Sequence, residues 1–250
     1  MNRMLFRVEY YRWLRTRRLI ALVAAFLMFG CLSLFGARYL PELIGHSAEI
    51  QLLHTPDWRD GIQQYVKNAG LLLSAVSLVL AAQSCAVRGT DPVGVYYLSR
   101  ETSPARLYLP RLLVAAAAVG VAALLGAVVA AYECRALFGA YPLGAAASVL
   151  AVQWIAVVLF AVFAAATAAR TGSTGAAAGA GAGVYVLGLL AATVHAVQPY
   201  LPTTALQPAV GDAGITFTDG VKSLAALFVL TALALGAALA HPIRTIHSAR

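Results

Sequence analysis

Six long apolar runs restrict what this sequence can fold into more than any other feature. A hydrocarbon core of about 30 Å is crossed by roughly 20 apolar residues in a helix. In lipid a helix satisfies its own backbone hydrogen bonds, whereas barrel strands would give alternating segments of about ten residues. The sequence therefore predicts an all-α polytopic membrane protein with six transmembrane helices, at approximately residues 19–35, 69–87, 112–131, 145–169, 176–197 and 223–240.

Composition agrees with this class. Of the residues, 61% are hydrophobic and 11% are charged, and the mean hydropathy is +0.78, which is typical of membrane proteins. No continuous stretch remains that would fold as an independent soluble domain. We therefore expect residues 1–250 to form a single transmembrane domain.

The distribution of Lys and Arg predicts the orientation. Thirteen of these residues fall on the side of the N-terminal tail and the second loop, and five fall on the other side. The positive-inside rule then places both termini in the cytoplasm. We expect the chain to lie in the inner (plasma) membrane of the cell. The net charge of +8 thus reflects topology, and we expect no nucleic-acid partner. High Ala, Gly and Arg with little Lys hints at a bacterial source.

Residues 1–18 mix six arginines with aromatic and aliphatic residues. This mixture is typical of a segment that lies along lipid headgroups, so we expect an N-terminal interfacial segment in contact with membrane lipid. Its apolar residues form no clean stripe on a helical wheel. A basic tail that only sets topology is the alternative.

The first outer loop ends in a segment with helical periodicity. Ile62, Tyr65 and Val66 fall on one face of a helix that leads into the second span. Trp58 and Tyr65 fit an aromatic belt at the outer membrane interface.

The fifth span contains a row of small residues. Gly175, Gly179 and Gly183 recur every four residues and share one helix face, on which another helix can approach closely. We expect these glycines to pack helices together. The spacing leaves open whether the neighbour lies in the same chain or in a second subunit.

The chain lacks the motifs of common catalytic sites. There is no GxxxxGK[ST], HExxH, GxSxG or CxxC, so we expect no enzyme activity, catalytic residue or metal site in this chain. The three cysteines are scattered and predict neither a disulfide framework nor a metal site. His195 is the one ionisable candidate in the spans, and a packing or interfacial position suits it better than a proton relay. Without a buried carboxylate, an ion-coupled carrier is disfavoured.

The connection at residues 88–111 is a polar island between the second and third spans. Gly89-Thr90-Asp91-Pro92 is a turn signal, and a short apolar segment follows it. Ser103-Pro104 then begins a helix that runs through Arg106 and Arg111 into the third span. A helix joined in this way to two spans would transmit a push from a soluble partner. The alternative is a solvated loop whose positive charge only sets orientation.

Together these features resemble the permease subunits of ABC-2 type (type V exporter fold) ATP-binding-cassette transporters over nearly the full chain. The resemblance rests on YYRWLRTRRLIAL, TPDWRDGIQQYVKN and RGTDPVGVYYLSRETSPARLYLPRLL, on the six spans, and on the apolar loop before the last span. Gly-Thr, Leu-Ser, Ser-Pro and Arg106 follow the order of the family's inner loop. The family usually has glutamates before Gly-Thr. This chain instead has Gln-Ser-Cys-Ala-Val-Arg at residues 83–88, which include no acidic residue.

The resemblance implies export driven by a separate ATPase subunit, which would bind ATP and Mg, so this chain itself would need no cofactor. Two ATPase copies and a second permease subunit, identical or homologous, are the implied partners. The uncharged spans suit an amphipathic or lipid-like cargo. A non-transporting scaffold or sensor that recruits a soluble partner is the alternative. Residues 1–18 and the coupling loop 88–111 would dock the ATPase, through Arg12, Arg15, Gly89, Thr90, Asp91, Ser99, Arg100, Glu101 and Arg106.

Overall fold

The computed structural model describes residues 3–45, 56–87 and 103–240, and all regular structure in these three ranges is helical. The first part of the chain forms α1 (Arg3–Arg15), α2 (Arg18–Gly45), α3 (Trp58–Asn68), a π-helical turn (Ala69–Leu73) and α4 (Ser74–Cys85). The second part forms α5 (Pro104–Phe138), α6 (Leu143–Thr171), α7 (Thr174–Ala191), a 3₁₀ turn (Gln198–Tyr200), α8 (Pro202–Leu206) and α9 (Phe217–Ala240).

Six helical segments are long and apolar enough to cross a membrane, which confirms the predicted number of spans and makes the chain a multi-pass membrane protein. The second span is α3, the π turn and α4 in continuous succession. The helices differ from the predicted apolar runs at several ends, because they continue into polar sequence, as the segment before residue 69 and Ser103-Pro104 predict, or end within apolar sequence. The second span begins at Trp58 and the third at Pro104, while the fifth helix ends at Ala191 and turns follow it.

α6 is the central helix of the bundle. It contacts α4, α5, α7 and α9, and 61% of its most apolar window is buried, against 17% for α7. Its inward side chains are mostly alanines, and small side chains let neighbouring helices approach closely. The buried alanines of α6 are Ala145, Ala146, Ala156, Ala161, Ala164, Ala165, Ala166, Ala168 and Ala169.

α2 crosses α5 where two glycines meet. A Cβ on Gly30 would lie 3.0 Å from the carbonyl oxygen of Gly126, so neither position has room for a side chain. The Tyr65 hydroxyl fills the space beside Gly126, at 2.9 Å from where a Cβ would be. Tyr65 is 1% exposed, so its assignment to an aromatic belt was wrong: the missing side chain at Gly126 leaves room for this ring in the core.

α3 begins at Asp57, whose carboxylate accepts from the backbone N–H groups of Arg59 (2.8 Å) and Asp60 (3.4 Å). The Asp60 carboxylate accepts in return from the Asp57 N–H at 2.9 Å, which completes a capping box. The predicted helical face is confirmed, since Ile62 and Val66 are fully buried.

The two ends of the bundle differ in their elements. At one end, called here the α1 end, α1 packs on α2 and α5, and the left-handed Gly172 between α6 and α7 approaches the Val87 carbonyl that follows α4. At the other, called here the α3 end, Trp58 of α3 stacks on Tyr141, between α5 and α6. The segment 198–216 packs at this second end.

Candidate functional site

The inward face of α1 is polar at its centre. Glu9 and Trp13 lie four residues apart, on the same side of the helix, and they are 3% and 1% exposed. The other side of α1 carries exposed Tyr10 and Tyr11, with the Arg7 guanidinium 5.7 Å from the Tyr11 ring centroid. The segment is therefore helical, and one acidic and one aromatic residue attach it to the bundle.

Glu9 forms a buried ion pair with α5. Arg111 Nε donates to Glu9 Oε1 at 3.1 Å, and both side chains are only 4% exposed. The second carboxylate oxygen accepts from Arg12 Nη1 at 3.5 Å. A charge buried away from water is stable only when it is paired and hydrogen-bonded, so Glu9 and Arg111 each restrict the position of the other. α1 and α5 are thus fixed to each other by their charges.

Arg111 reaches this position because α5 starts well before the apolar part of the third span. Ser103 is the residue before the helix, and Pro104 occupies its first turn, as the sequence predicts. Pro110 lies inside the helix, and since proline has no N–H, the carbonyl four residues earlier, that of Arg106, lacks its usual helical donor. The exposed Arg106 and the buried Arg111 thus lie on either side of Pro110, where the helix lacks one backbone hydrogen bond.

Three of the predicted docking residues lie in the described part of the chain, all at the α1 end. Arg15 and Arg106 are exposed, and the Arg12 side chain is 37% exposed while contacting Glu9. A groove of about 400 Å³ runs along α1 beside Val8, Tyr11, Arg12 and Arg15. The other predicted docking residues lie outside the described residues: Gly89, Thr90, Asp91, Ser99, Arg100 and Glu101.

The row of glycines in α7 has no helix against it within the described part of the chain. A Cβ on Gly179 or Gly183 would meet nothing within 4 Å, and one on Gly175 would meet only the Ser173 hydroxyl at 3.7 Å. The glycines of α7 that pack are Gly181, where a Cβ would overlap Leu78 Cδ1 of α4, and Gly188, where it would overlap Thr203. No described helix of the same chain therefore packs on the predicted row, and packing on a second subunit stays a prediction.

α4 and α7 enclose an apolar cleft of about 250 Å³ beside Gly181. Leu71, Leu78 and Phe160 contribute to its lining, and Tyr185 is at its polar edge. The Tyr185 hydroxyl accepts from Gln207 Nε2 at 2.5 Å, which ties the cleft to the segment 198–216.

That segment is held against the bundle by a buried amide. Gln153 of α6 is 3% exposed and donates through Nε2 to the carbonyl oxygens of Val66 (2.7 Å) and Leu206 (3.1 Å). The Val210 N–H donates to Gln63 Oε1 at 3.0 Å, and Arg59 forms an exposed ion pair with Asp212. Segment 198–216 is therefore an ordered cap over the π turn rather than a free loop.

His195 does not lie inside a span. It is exposed among the turns that follow α7, so it belongs to the surface of the α3 end. Within the described residues, no three His, Cys, Asp or Glu side chains are grouped so that they could hold a metal ion.

No protein-family model matches this chain, and no curated protein matches it. Function must therefore be argued from the site itself.

Two important residues of the site were missed in the sequence. Glu9 lies within the basic segment 1–18 and was not singled out, and Arg111 was placed in the helix that leads into the third span without a partner. The available signal was the pair Glu9 and Trp13 at a spacing of four, since a carboxylate and an indole on one face of an Arg-rich helix mark the side that turns inward.

Proposed function

We propose that this chain is the membrane-spanning subunit of an ATP-driven exporter of the ABC-2 type, driven by a separate ATPase subunit that docks at the α1 end. The observation that carries the proposal is the buried ion pair between Glu9 and Arg111. It joins the N-terminal helix to the start of α5, directly after the loop that resembles the family's coupling loop.

The ion pair suits the transmission of movement between these elements. A displacement of α1 relative to α5 would separate two charges in surroundings with little water, where the energy of separation is high. The two helices would therefore move together when a partner pushes on either. α5 has 35 residues, or about 52 Å at 1.5 Å per residue, so it spans the bilayer from one end to the other.

Charge supports the proposed orientation. The α1 end carries α1, Arg106 and Arg170, while the α3 end carries fewer basic residues and more acidic ones. By the positive-inside rule the α1 end faces the cytoplasm, where ATP is available to a soluble ATPase, and both termini lie on that side of the inner membrane.

The cargo class follows from the chemistry of the bundle. The described interior of the spans holds mainly small, aliphatic and aromatic side chains, and the cleft between α4 and α7 is apolar with Tyr185 in its lining. Such surfaces favour an amphipathic or lipid-like molecule over a small ion. A second permease subunit would complete the translocation path by packing on the exposed glycine row of α7.

The proposal predicts a gene for a Walker A ATPase next to the gene for this chain, and the test is the complex reconstituted from the two proteins. We expect the chain to bind that ATPase and to stimulate its ATP hydrolysis. Arg100→Glu combined with Arg106→Glu should abolish both effects, because it reverses charge on the docking side. Arg135→Glu is the matched control, since Arg135 is also exposed but lies at the opposite end of α5.

A variant of the ion pair separates coupling from docking. Glu9→Leu with Arg111→Met replaces the pair by apolar side chains, and should leave ATPase binding intact while reducing cargo-dependent stimulation. Binding without any stimulation in the wild-type protein would instead support a non-transporting scaffold. If the docking variant binds and stimulates like the control, the assignment of the α1 end as the ATPase side is wrong.

A further inference from the structure

The corner between α1 and α2 contains more positive charge than the described acidic groups can balance. Glu9 is the one described carboxylate there, and its two oxygens are used by Arg111 and Arg12. Arg15 and Arg17 are exposed beside it, and Arg18 begins α2. The Arg18 guanidinium lies near both the Arg12 guanidinium, which repels it, and the Glu9 carboxylate, which attracts it and already faces Arg111 and Arg12. An anion between Arg12 and Arg18 would relieve this repulsion.

One hydrogen-bond donor at this corner has no acceptor among the described residues. Arg18 Nη1 is buried and has no hydrogen-bond partner there. Buried donors in native proteins are nearly always satisfied, and an exception commonly marks the place of a bound ion or water.

The backbone at the corner is also unusual. Arg17 has a φ of 57°, in the left-handed region that favours glycine at the end of a helix. A residue other than glycine is strained in this conformation, and Arg17 is exposed. An additional cation therefore occupies a turn position that glycine would adopt more easily.

The surfaces beside these cations are apolar. Val8 and Tyr11 line the groove along α1 together with Arg12 and Arg15, and Ile20, in the first turn of α2, is 60% exposed. A ligand that satisfies both kinds of surface has an anionic head and an apolar body. Basic and aromatic residues at the end of a membrane span are suited to this chemistry.

We propose that the α1–α2 corner binds the phosphate of an anionic glycerophospholipid, with the headgroup in the groove along α1 and the acyl chains beside Ile20. Arg12 and Arg15 supply the positive charge along the groove, and Arg18 adds to it at the start of α2. The lipid balances the excess positive charge and holds α1 in the position in which Glu9 meets Arg111. This inference does not depend on the proposed transport function.

The test is native mass spectrometry of the delipidated full chain, titrated with phosphatidylglycerol or with zwitterionic phosphatidylcholine, with inorganic phosphate as competitor. The wild-type protein should retain phosphatidylglycerol preferentially. Arg18→Gln should weaken that binding about fivefold, since one basic residue near a membrane surface contributes about that factor. Arg170→Gln is the matched control, because Arg170 is an exposed arginine at the same end of the bundle.

Arg18→Lys keeps the charge and checks folding, so it should retain the preference for phosphatidylglycerol. Equal retention of the two lipids by the wild-type protein would overturn the proposal, whatever the folding of the variants. Equal losses in Arg18→Gln and Arg170→Gln would also overturn it, since the effect would then be one of overall charge. Complete displacement of phosphatidylglycerol by millimolar inorganic phosphate would show a site for a free anion and contradict the lipid assignment.

Discussion

Removal of the Glu9 charge is the sharpest perturbation of this structure. Glu9→Gln keeps the size of the side chain but leaves the buried Arg111 facing a neutral amide. The two side chains are 4% exposed and meet at 3.1 Å, and removing one partner of a buried pair of this kind costs about 3–5 kcal/mol. We expect a loss of this size in the free energy of unfolding, measured by SDS titration of the purified protein with circular dichroism as readout.

The ion pair between Arg59 and Asp212 is the matched control. Its side chains are 44% and 78% exposed, so water screens the charges and such a pair contributes about 0–1 kcal/mol. Asp212→Asn should therefore change the free energy of unfolding by less than 1 kcal/mol. The contrast between the two variants isolates burial as the cause.

The double variant Glu9→Leu with Arg111→Met gives the decisive comparison. Apolar replacements of a buried ion pair are often neutral or stabilising, so the double variant should be more stable than Glu9→Gln. If Glu9→Gln costs no more than Asp212→Asn, or if the double variant is no more stable than Glu9→Gln, the pair does not hold α1 to α5.

Three further predictions concern packing, the cap and pH. Gly181→Val should lower the free energy of unfolding by about 1–3 kcal/mol through overlap with Leu78, whereas Gly179→Val should change it by less than about 0.5 kcal/mol in the monomer. Gln153→Leu should cost about 1–3 kcal/mol and expose segment 198–216 to hydrogen exchange, because two buried carbonyl oxygens lose their donor; unchanged exchange there would contradict the described cap. Burial raises the pKa of Tyr141, and the nearby Cys134 raises it further while Arg135 lowers it. Because unfolded tyrosine ionises near pH 10, the free energy of unfolding should fall as pH rises above about 10. Tyr141→Phe should reduce that fall in a pH series of SDS titrations.

The spans could be predicted because burial in lipid demands long apolar helices, and each of the six runs has that length. The apolar runs alone do not give the helix ends, since α3 and the first turns of α5 are helices in polar sequence that only helical periodicity and Ser103-Pro104 predict. The Asp57 capping box and Pro104 mark these starts locally, but an apolar run does not include them.

The packing face of α7 shows why residue spacing alone does not predict which face of a helix turns inward. Gly175, Gly179 and Gly183 form one row of small residues, while Ala177 and Gly181 form another with the same spacing. Only the position of Leu78 on α4 decides which row is inward. Glu9 posed the same difficulty, because its partner Arg111 lies far away in the sequence and each residue alone fits a basic, topology-setting segment.

The central claim is tested most directly by isolating this chain, with a C-terminal affinity tag, from its native membranes in mild detergent. The proposed function predicts that a protein with a Walker A motif copurifies with it, and that the complex hydrolyses ATP in a vanadate-sensitive manner. It further predicts that Arg100→Glu with Arg106→Glu removes both the protein and the activity, while Arg135→Glu retains them. A chain that purifies from native membranes without an ATPase, or whose ATPase is equally retained in both variants, would contradict the account.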